Sequence, residues 1–370
     1  MAVREGSLED MGMSFWRGKR VLLTGHTGFK GAWLSLWLMQ QGARVTGLAL
    51  APETRPSLFD QLALSGEMEH RLGDIRDYST VAAAVRETAP DAVLHLAAQS
   101  LVLRGYRQPL DTWATNVMGT AHVLEAMRLL DKPCAAVIVT TDKVYRNNEW
   151  EFGYRETDPL GGHDPYSASK AATELAVASW RHAFLSGTSP VRIASARAGN
   201  VIGAGDWSEN RIVPDLVRAL DEGRDVEVRN PEAVRPWQHV LEPLGGYLLL
   251  ARRLLESSAP VFQDSFNFGP SAEAERSVRE LVEQSLKYWP GAWRDMSSPG
   301  VPHEAGRLAL NIDRTRARLG WAPRWDFDRS VRETIEGYRS SIGADPRAMR
   351  DQCLGAIRAY EAEAAVRGQP

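Results

Sequence analysis

Tyr166 and Lys170 stand four residues apart, and Thr141, Asp142 and Lys143 stand together upstream of them. These five side chains offer a phenol, a hydroxyl, a carboxyl and two ammonium groups. Positions four apart on a helix share a face, so the phenol and the Lys170 ammonium would lie side by side. A free tyrosine ionises near pH ~10, too high for a base at neutrality. An adjacent cation favours phenolate and is expected to bring that value down. Chance alone also produces Tyr-x-x-x-Lys, in which case Tyr166-Ser167-Ala168-Ser169-Lys170 is ordinary helix. Thr141-Asp142-Lys143 sets an acid and a base beside a hydroxyl, a combination suited to additional proton transfers; the plain alternative is a solvated charge pair after a strand.

A third group of residues handles phosphate. Gly25-His26-Thr27-Gly28-Phe29-Lys30-Gly31 follows the apolar run Arg20–Thr24 and precedes a Leu- and Trp-rich helical stretch, Ala32–Gln41. Strand, glycine turn and helix form the context of a dinucleotide cradle. Gly25 permits the turn, Gly28 lets backbone approach a pyrophosphate, and Gly31 lets the helix pack on the strand. Free N–H groups at the helix N-terminus then face the phosphates. The spacing is Gly-x-x-Gly-x-x-Gly, and a glycine turn without a ligand is the alternative. Cradle, phenol and ammonium together point to hydride exchange with a nicotinamide.

The elements that must position these groups follow a repeating pattern. Candidate strands are Arg20–Thr24, Arg44–Leu50, Glu69–Gly73, Ala92–Leu96, Ala135–Thr140 and Val191–Ala196. Helical patterns lie at Ala32–Gln41, Tyr78–Thr88, Leu110–Leu130 and Tyr166–Leu185. Alternation of this kind predicts an α/β, doubly wound parallel sheet covered on both faces, with ligands beyond the carboxyl ends of its strands. Gly25, Asp74, Ala97-Ala98-Gln99 and Thr141-Asp142-Lys143 all fall at such ends, so they converge on one crevice. After Gly199 the glycines and prolines at 203, 205, 214, 231, 236 and 243 predict a smaller mixed lobe. Val301 to Arg339 reads as an extended segment leading to a last helix, and Glu361 to Pro370 as a polar tail. The expected division is a loose extension over 1–14, a cofactor-binding domain over 15–200 plus 238–268, a substrate lobe over 201–237 plus 269–345, and a helix and tail over 346–370.

Composition excludes several classes. Hydrophobic residues make up 44% and charged residues 25% of the 370, as in ordinary soluble domains. A formal net charge of -3 gives no basic excess for nucleic acid. Two cysteines, Cys134 and Cys353, exclude a disulfide framework and fit a reducing cytoplasm. Neither has histidine at metal-ligand spacing, so no metal site is expected. No stretch approaches the ~20 apolar residues of a membrane span, and the first fifteen residues lack an apolar signal core.

These residues, with their neighbours, resemble the extended short-chain dehydrogenase/reductase family and, within it, the nucleotide-sugar 4,6-dehydratases that act on CDP-glucose. The resemblance is carried by Thr24 to Gly31, Thr141-Asp142-Lys143-Val144-Tyr145, and Asp158-Pro159-Leu160-Gly161-Gly162-His163-Asp164-Pro165-Tyr166. Ala198-Gly199-Asn200-Val201-Ile202-Gly203, Val234-Arg235-Pro236-Trp237-Gln238-His239-Val240 and Leu319-Gly320-Trp321 complete it, so that it covers Phe15 to Tyr338. The glycine and Tyr/Lys motifs mark only the superfamily; the Asp-Lys pair, Gly-Gly-His-Asp-Pro-Tyr and Arg-Pro-Trp-Gln-His are far more specific.

The resemblance implies a tightly held NAD, a nucleotide-sugar substrate and intramolecular dehydration, a step in deoxysugar biosynthesis. It implies that Tyr166 takes the C4 hydroxyl proton, that Thr141 hydrogen-bonds the same oxygen, that Asp142 protonates the departing C6 hydroxyl and that Lys143 takes the C5 proton. A lysine base needs a lowered pKa, which burial supplies. Implied cofactor residues are Gly25, His26, Thr27, Gly28, Phe29, Lys30, Gly31, Asp74, Ile75, Leu96, Ala97, Ala98, Gln99, Asn116, Thr140, Tyr166, Lys170 and Ala198, with Asp74 and Ile75 bracketing the adenine. Implied substrate residues are Gln99, Asn200, Arg211, Arg235, His303 and Arg307. A homodimer or homotetramer is implied through the helices over Leu110–Leu130 and Tyr166–Leu185.

Some positions depart from the family pattern. Ser100, Leu103 and Gly105 stand where a proline, an arginine and a serine are usual. No carboxylate directly follows the second strand, Ala49-Leu50-Ala51-Pro52-Glu53, and Arg55 lies beyond it, the ambiguity between NAD and a 2′-phosphorylated cofactor. A nucleotide-sugar epimerase acting at C4 or C2, and a catalytically silent NAD-binding interaction protein, are the alternative functions.

Overall fold

The computed structural model describes residues 15–271, 274–297, 307–345 and 347–366. The expected extension over 1–14 and the last four residues of the tail lie outside the described residues.

Seven parallel strands form the central sheet: β1 (Arg20–Thr24), β2 (Arg44–Ala49), β3 (Glu69–Leu72), β4 (Ala92–His95), β5 (Cys134–Val139), β6 (Val191–Ala198) and β7 (Ser265–Phe268). Their order is β7-β6-β5-β4-β1-β2-β3. β5 is buried at every position, as a strand covered on both faces must be. Successive residues serve opposite faces. Leu23, Val137 and Ala194 pack with Trp33 and Leu36 on one side, while Leu22, Ile138 and Ile193 pack with Val81 and Leu124 on the other.

The six expected strands are present within two residues at each end. β7 is additional: Ser-Phe-Asn-Phe is too short to show a period, and it becomes a strand by pairing with Ser195–Ala198 of β6. The first helix begins at Phe29, three residues earlier than expected, with Gly28 as its N-cap. The single helix expected over 110–130 is interrupted. Helix Pro109–Trp113 opens into a wide π turn over Ala114–Gly119 before Thr120–Met127. There the Asn116 carbonyl accepts from the Thr120 and Thr173 hydroxyls at 2.7 and 2.9 Å, so side chains compete for a ladder acceptor.

Helices Phe327–Ser341 and Ala348–Val366 close the described chain, the second within the span 346–370 where a helix is expected. Glu361 is not in a tail: it sits in that final helix and accepts from Trp37 Nε1 at 2.7 Å and Gln41 Nε2 at 2.9 Å. Beneath this helix Glu242 is fully buried and accepts from the N–H groups of Arg324 and Trp325 and from the Tyr360 hydroxyl. Burial pushes its carboxyl up to about 7 from 4.5. The folded chain therefore holds a proton there that the unfolded chain releases, so this site loses stability as pH rises from near 4.5 through 7. Glu242→Gln, a neutral isostere, is expected to gain on the native chain by up to about 3 kcal/mol between pH 5 and 8, read from denaturant midpoints. An unchanged difference across that range would refute it.

Candidate active site

β1 lies between β2 and β4, where the winding of the sheet reverses. A cleft of about 1160 Å³ opens beyond the strand ends at this point, as expected of a doubly wound sheet.

The glycine loop forms its floor. Gly25 has φ +77°, and a Cβ there would sit 2.7 Å from Ala97 N; one on Gly31 would sit 2.1 Å from Gly25 O. Backbone packing thus requires both glycines. Gly28, Phe29 and Lys30 face the cleft, no side chain caps the helix at Gly28, and its first turn carries no acid. Such an N-terminus is open to a phosphate. Thr27, Asp74, Ile75, Leu96, Ala97, Ala98, Gln99, Thr140 and Ala198 also line the cleft.

Two expected cofactor residues do not. His26 turns beneath the loop, fully buried, with Nε2 2.6 Å from His70 Nδ1. Gly47 leaves it room, since a Cβ there would lie 2.3 Å from the ring. Burial, with His70 adding to it, pushes the imidazole down to about 4. Asn116 is also buried, behind the wall. Its Oδ1 accepts from Gln99 N, and its Nδ2 donates to Gln99 O and Ser169 Oγ. It holds the Gln99 loop and does not reach the cleft.

Tyr166 and Lys170 lie in the helix Pro165–Ala183, capped by Asp164, which accepts from the N–H groups of Tyr166 and Ser167. The phenol meets the Thr141 hydroxyl across the cleft. That hydroxyl donates to Asp142 Oδ1 at 2.9 Å. Asp142 is 2% exposed, and its Oδ2 is buried with no hydrogen-bond partner among the described residues. Burial raises this carboxyl above its usual range, against the charges of Lys143, Arg235 and Lys30. Phenol, hydroxyl and carboxyl therefore form a continuous row.

The electrostatics depart from expectation at two points. Burial pushes the Tyr166 phenol up to about 12, and the Asp142 charge adds to this. The lowering expected from Lys170 is not seen, because the Lys170 ammonium turns to Val139 O at 3.2 Å. Burial holds that ammonium down at about 8. Lys143, expected to be buried, is only partly so. Lys30 is partly buried to a similar degree, and burial with the charge of Arg211 pushes its ammonium down to about 7, against the charge of Asp142.

At the far end Asn200, Arg211 and Arg235 line the cleft. Arg211 reaches Asp206 at 3.4 Å, and Arg235 is buried beside Val234 O. Arg307 does not line it; its guanidinium pairs with Glu275 at 3.2 Å. His303 lies outside the described residues. Glu53 lines the end near β2 and pairs with Arg104 at 2.7 Å, whereas Arg55 does not line it. Arg104 also approaches Glu209 at 3.6 Å on the opposite wall. Ser100 and Leu103 face the cleft, and Gly105 packs on the start of the Tyr166 helix, where a Cβ would lie 3.3 Å from Tyr166 N. Asp206 and Glu209 escaped the sequence reading because they come from loop positions without a motif. Lys30 stood within one, but nothing local shows which way its side chain turns. Among the described residues no three His, Cys, Asp or Glu gather as metal ligands, and no helix is long and apolar enough to cross a membrane.

A parallel sheet in this order, a bare glycine cradle and a Tyr/Lys helix facing a threonine define an extended short-chain dehydrogenase/reductase. More narrowly, the GDP-mannose 4,6 dehydratase family matches residues 22–334, and the chain belongs to that family. It is 44% identical over 335 residues to the CDP-glucose 4,6-dehydratase of Salmonella typhimurium, covering 89% of this chain and 93% of that protein. It is 28% identical to a dTDP-glucose 4,6-dehydratase of Xanthomonas campestris pv. campestris, over 86% of this chain and 92% of that one. Among solved structures, the Thermus thermophilus UDP-glucose 4-epimerase in complex with NAD superposes with a TM-score of 0.75 at 25% identity, over 87% of this chain and 99% of that chain. The Streptomyces venezuelae dTDP-glucose 4,6-dehydratase superposes with a TM-score of 0.72 at 24% identity, over 88% and 98%.

Proposed function

We propose that this chain is an NAD-dependent nucleotide-sugar 4,6-dehydratase that converts CDP-glucose to CDP-4-keto-6-deoxyglucose and water. The observation that carries the reading is the row from Tyr166 through Thr141 to Asp142, with Lys143 at its end. An epimerase needs the phenol and the hydroxyl; the acid and the base beside them are what elimination adds.

The uncapped helix at Gly28 fits a pyrophosphate, so the residues fit NAD. NAD⁺, when bound, supplies the hydride acceptor and returns what it takes, so none is consumed. Oxidation at C4 makes the C5 hydrogen acidic and puts the C6 hydroxyl in the β position. Tyr166, as phenolate, accepts the C4 hydroxyl proton, with Thr141 holding that oxygen; the positive ring of bound NAD⁺ would favour that phenolate. Asp142, whose carboxyl burial raises above its usual range, donates a proton to the C6 hydroxyl as it leaves as water. Lys143 takes the C5 proton. Arg211 and Arg235, in a lobe formed by 201–237 plus 269–345, hold the diphosphate together with Asn200; guanidinium groups suit it by geometry and charge. Exposed Leu110, Trp113 and Met118, with Leu175 on the Tyr166 helix, leave an apolar face that a second copy would cover as a homodimer.

The test is incubation of the purified protein with CDP-glucose, followed by mass spectrometry. The expected product has lost one water, with no net release of NADH, and heat should free NAD from the protein. Unchanged mass with inverted stereochemistry would favour an epimerase, and absence of NAD a silent binding protein. Sedimentation of the same preparation at the mass of one chain would refute the dimer.

A further inference from the structure

Lys170 and Glu174 are one helical turn apart and hold consecutive residues of the same strand end. Lys170 Nζ donates to Val139 O at 3.2 Å, and Glu174 Oε1 accepts from Thr140 Oγ1 at 2.5 Å. Val139 and Thr140 lead directly into Thr141-Asp142-Lys143. The second Glu174 oxygen accepts from Ser195 Oγ at 2.7 Å, Arg197 Nη2 at 2.8 Å and Ser265 Oγ at 3.2 Å, on β6 and β7. Glu174 and Arg197 are 4% and 3% exposed. A buried ion pair of this kind is weak support for stability, because desolvating both charges costs about as much as their attraction returns. Its position gives it another use.

We propose that Glu174 is a positioning residue: its fixed negative charge keeps the buried Lys170 ammonium protonated, and its bond to Thr140 ties the helix bearing Tyr166 to the loop bearing the acid and base. The charged or titratable groups facing Lys170 are Glu174 and Tyr166 on its own helix, Lys30 on the helix Phe29–Gln40 and His95 on β4. His95 is held neutral, pushed down to about 3 by burial and by Lys170. Among the described residues, Glu174 is the anion acting on the ammonium. Burial opposes ionisation of Glu174, but Arg197, Thr140 and Ser195 outweigh it and hold the carboxyl below its usual range. The role rests on the proposed reaction insofar as Lys170 works there as an ammonium.

The chain has six lysines, so carbon-13 lysine labelling can follow Lys170 by NMR, with Lys170→Arg assigning the signal. Its midpoint is expected near pH 8 in the native protein, where burial has already brought it to about 8. Glu174→Gln keeps the shape and removes the charge. Losing an anion lowers the pH at which the ammonium gives up its proton, so the midpoint falls by about one pH unit or more. The alkaline limit of dehydration moves down with it. Glu174→Asp restores the midpoint, and Thr140→Val, which removes a hydrogen bond but no charge, leaves it in place while turnover falls several-fold. Should Glu174→Gln fail to fold around the stranded Arg197, Glu174→Gln with Arg197→Met is expected to show a fall of the same sign but smaller, because loss of the Arg197 cation offsets part of the lost anion. A midpoint in the folded variant within a few tenths of native overturns the proposal, even if activity drops uniformly. If the midpoint moves as expected but the native protein never dehydrates CDP-glucose, the proposed reaction fails and the role of Glu174 stands.

Discussion

Tyr166→Phe is expected to lower dehydration of CDP-glucose by roughly 10³-fold, the range in which a positioned acid–base group contributes. The substitution removes one oxygen from a ring that is 8% exposed, so packing against the cleft wall changes little. Lost instead is the group that accepts the C4 hydroxyl proton, together with the contact to Thr141. The Thr141–Asp142 hydrogen bond and the Lys170 bond to Val139 do not involve the phenol and should persist. NAD content per chain is therefore expected to match the native protein, which separates loss of chemistry from loss of cofactor. Single-turnover water loss is the measurement. A decrease below about 10-fold would mean that another group takes the C4 proton.

Lys143→Ala should divide the reaction at its midpoint. Oxidation at C4 needs Tyr166 and Thr141, both untouched, whereas removal of the C5 proton needs the missing lysine amine, which takes it as the neutral base. On mixing with CDP-glucose, the near-ultraviolet absorbance of reduced nicotinamide is expected to rise and persist, while water loss falls by about 10²–10³-fold. Exchange of the C5 hydrogen with deuterated solvent should stop. Asp142→Asn provides the contrast: C5 exchange should continue without departure of the C6 hydroxyl, because the buried acid is absent and the base remains. Unimpaired dehydration by Lys143→Ala would take lysine out of the mechanism. Exchange lost in the asparagine variant but kept in the alanine variant would reverse the two assignments.

Much of the frame was legible in the chain. Strand ends at Thr24, Gly73, Leu96 and Thr140, read from apolar runs, each lie within one residue of the structure. The resemblance to CDP-glucose-acting dehydratases agrees with the 44% identity found. Missed were β7, whose four residues carry no period, and the π turn at Ala114–Gly119, which arises from hydroxyls on two helices competing for one carbonyl.

Motifs alone determined which residues meet the cleft as backbone: cradle, strand ends and the Tyr/Lys helix are set by local periodicity and by glycine's freedom to turn. What they left open was the charge each side chain carries and the direction it faces. His26 points into the core because Gly47, on a neighbouring strand, leaves a hole for its ring. The Tyr166 phenol is pushed up and the Lys30 ammonium pushed down because desolvation depends on every atom packed around a group, from wherever in the chain it comes. Glu174 reads as one more helical acid until β6 and β7 bring Arg197, Ser195 and Ser265 to it. Short-range spacing encodes where backbone goes; only long-range packing decides the dielectric and the partners that make a side chain an acid, a base or a counter-ion.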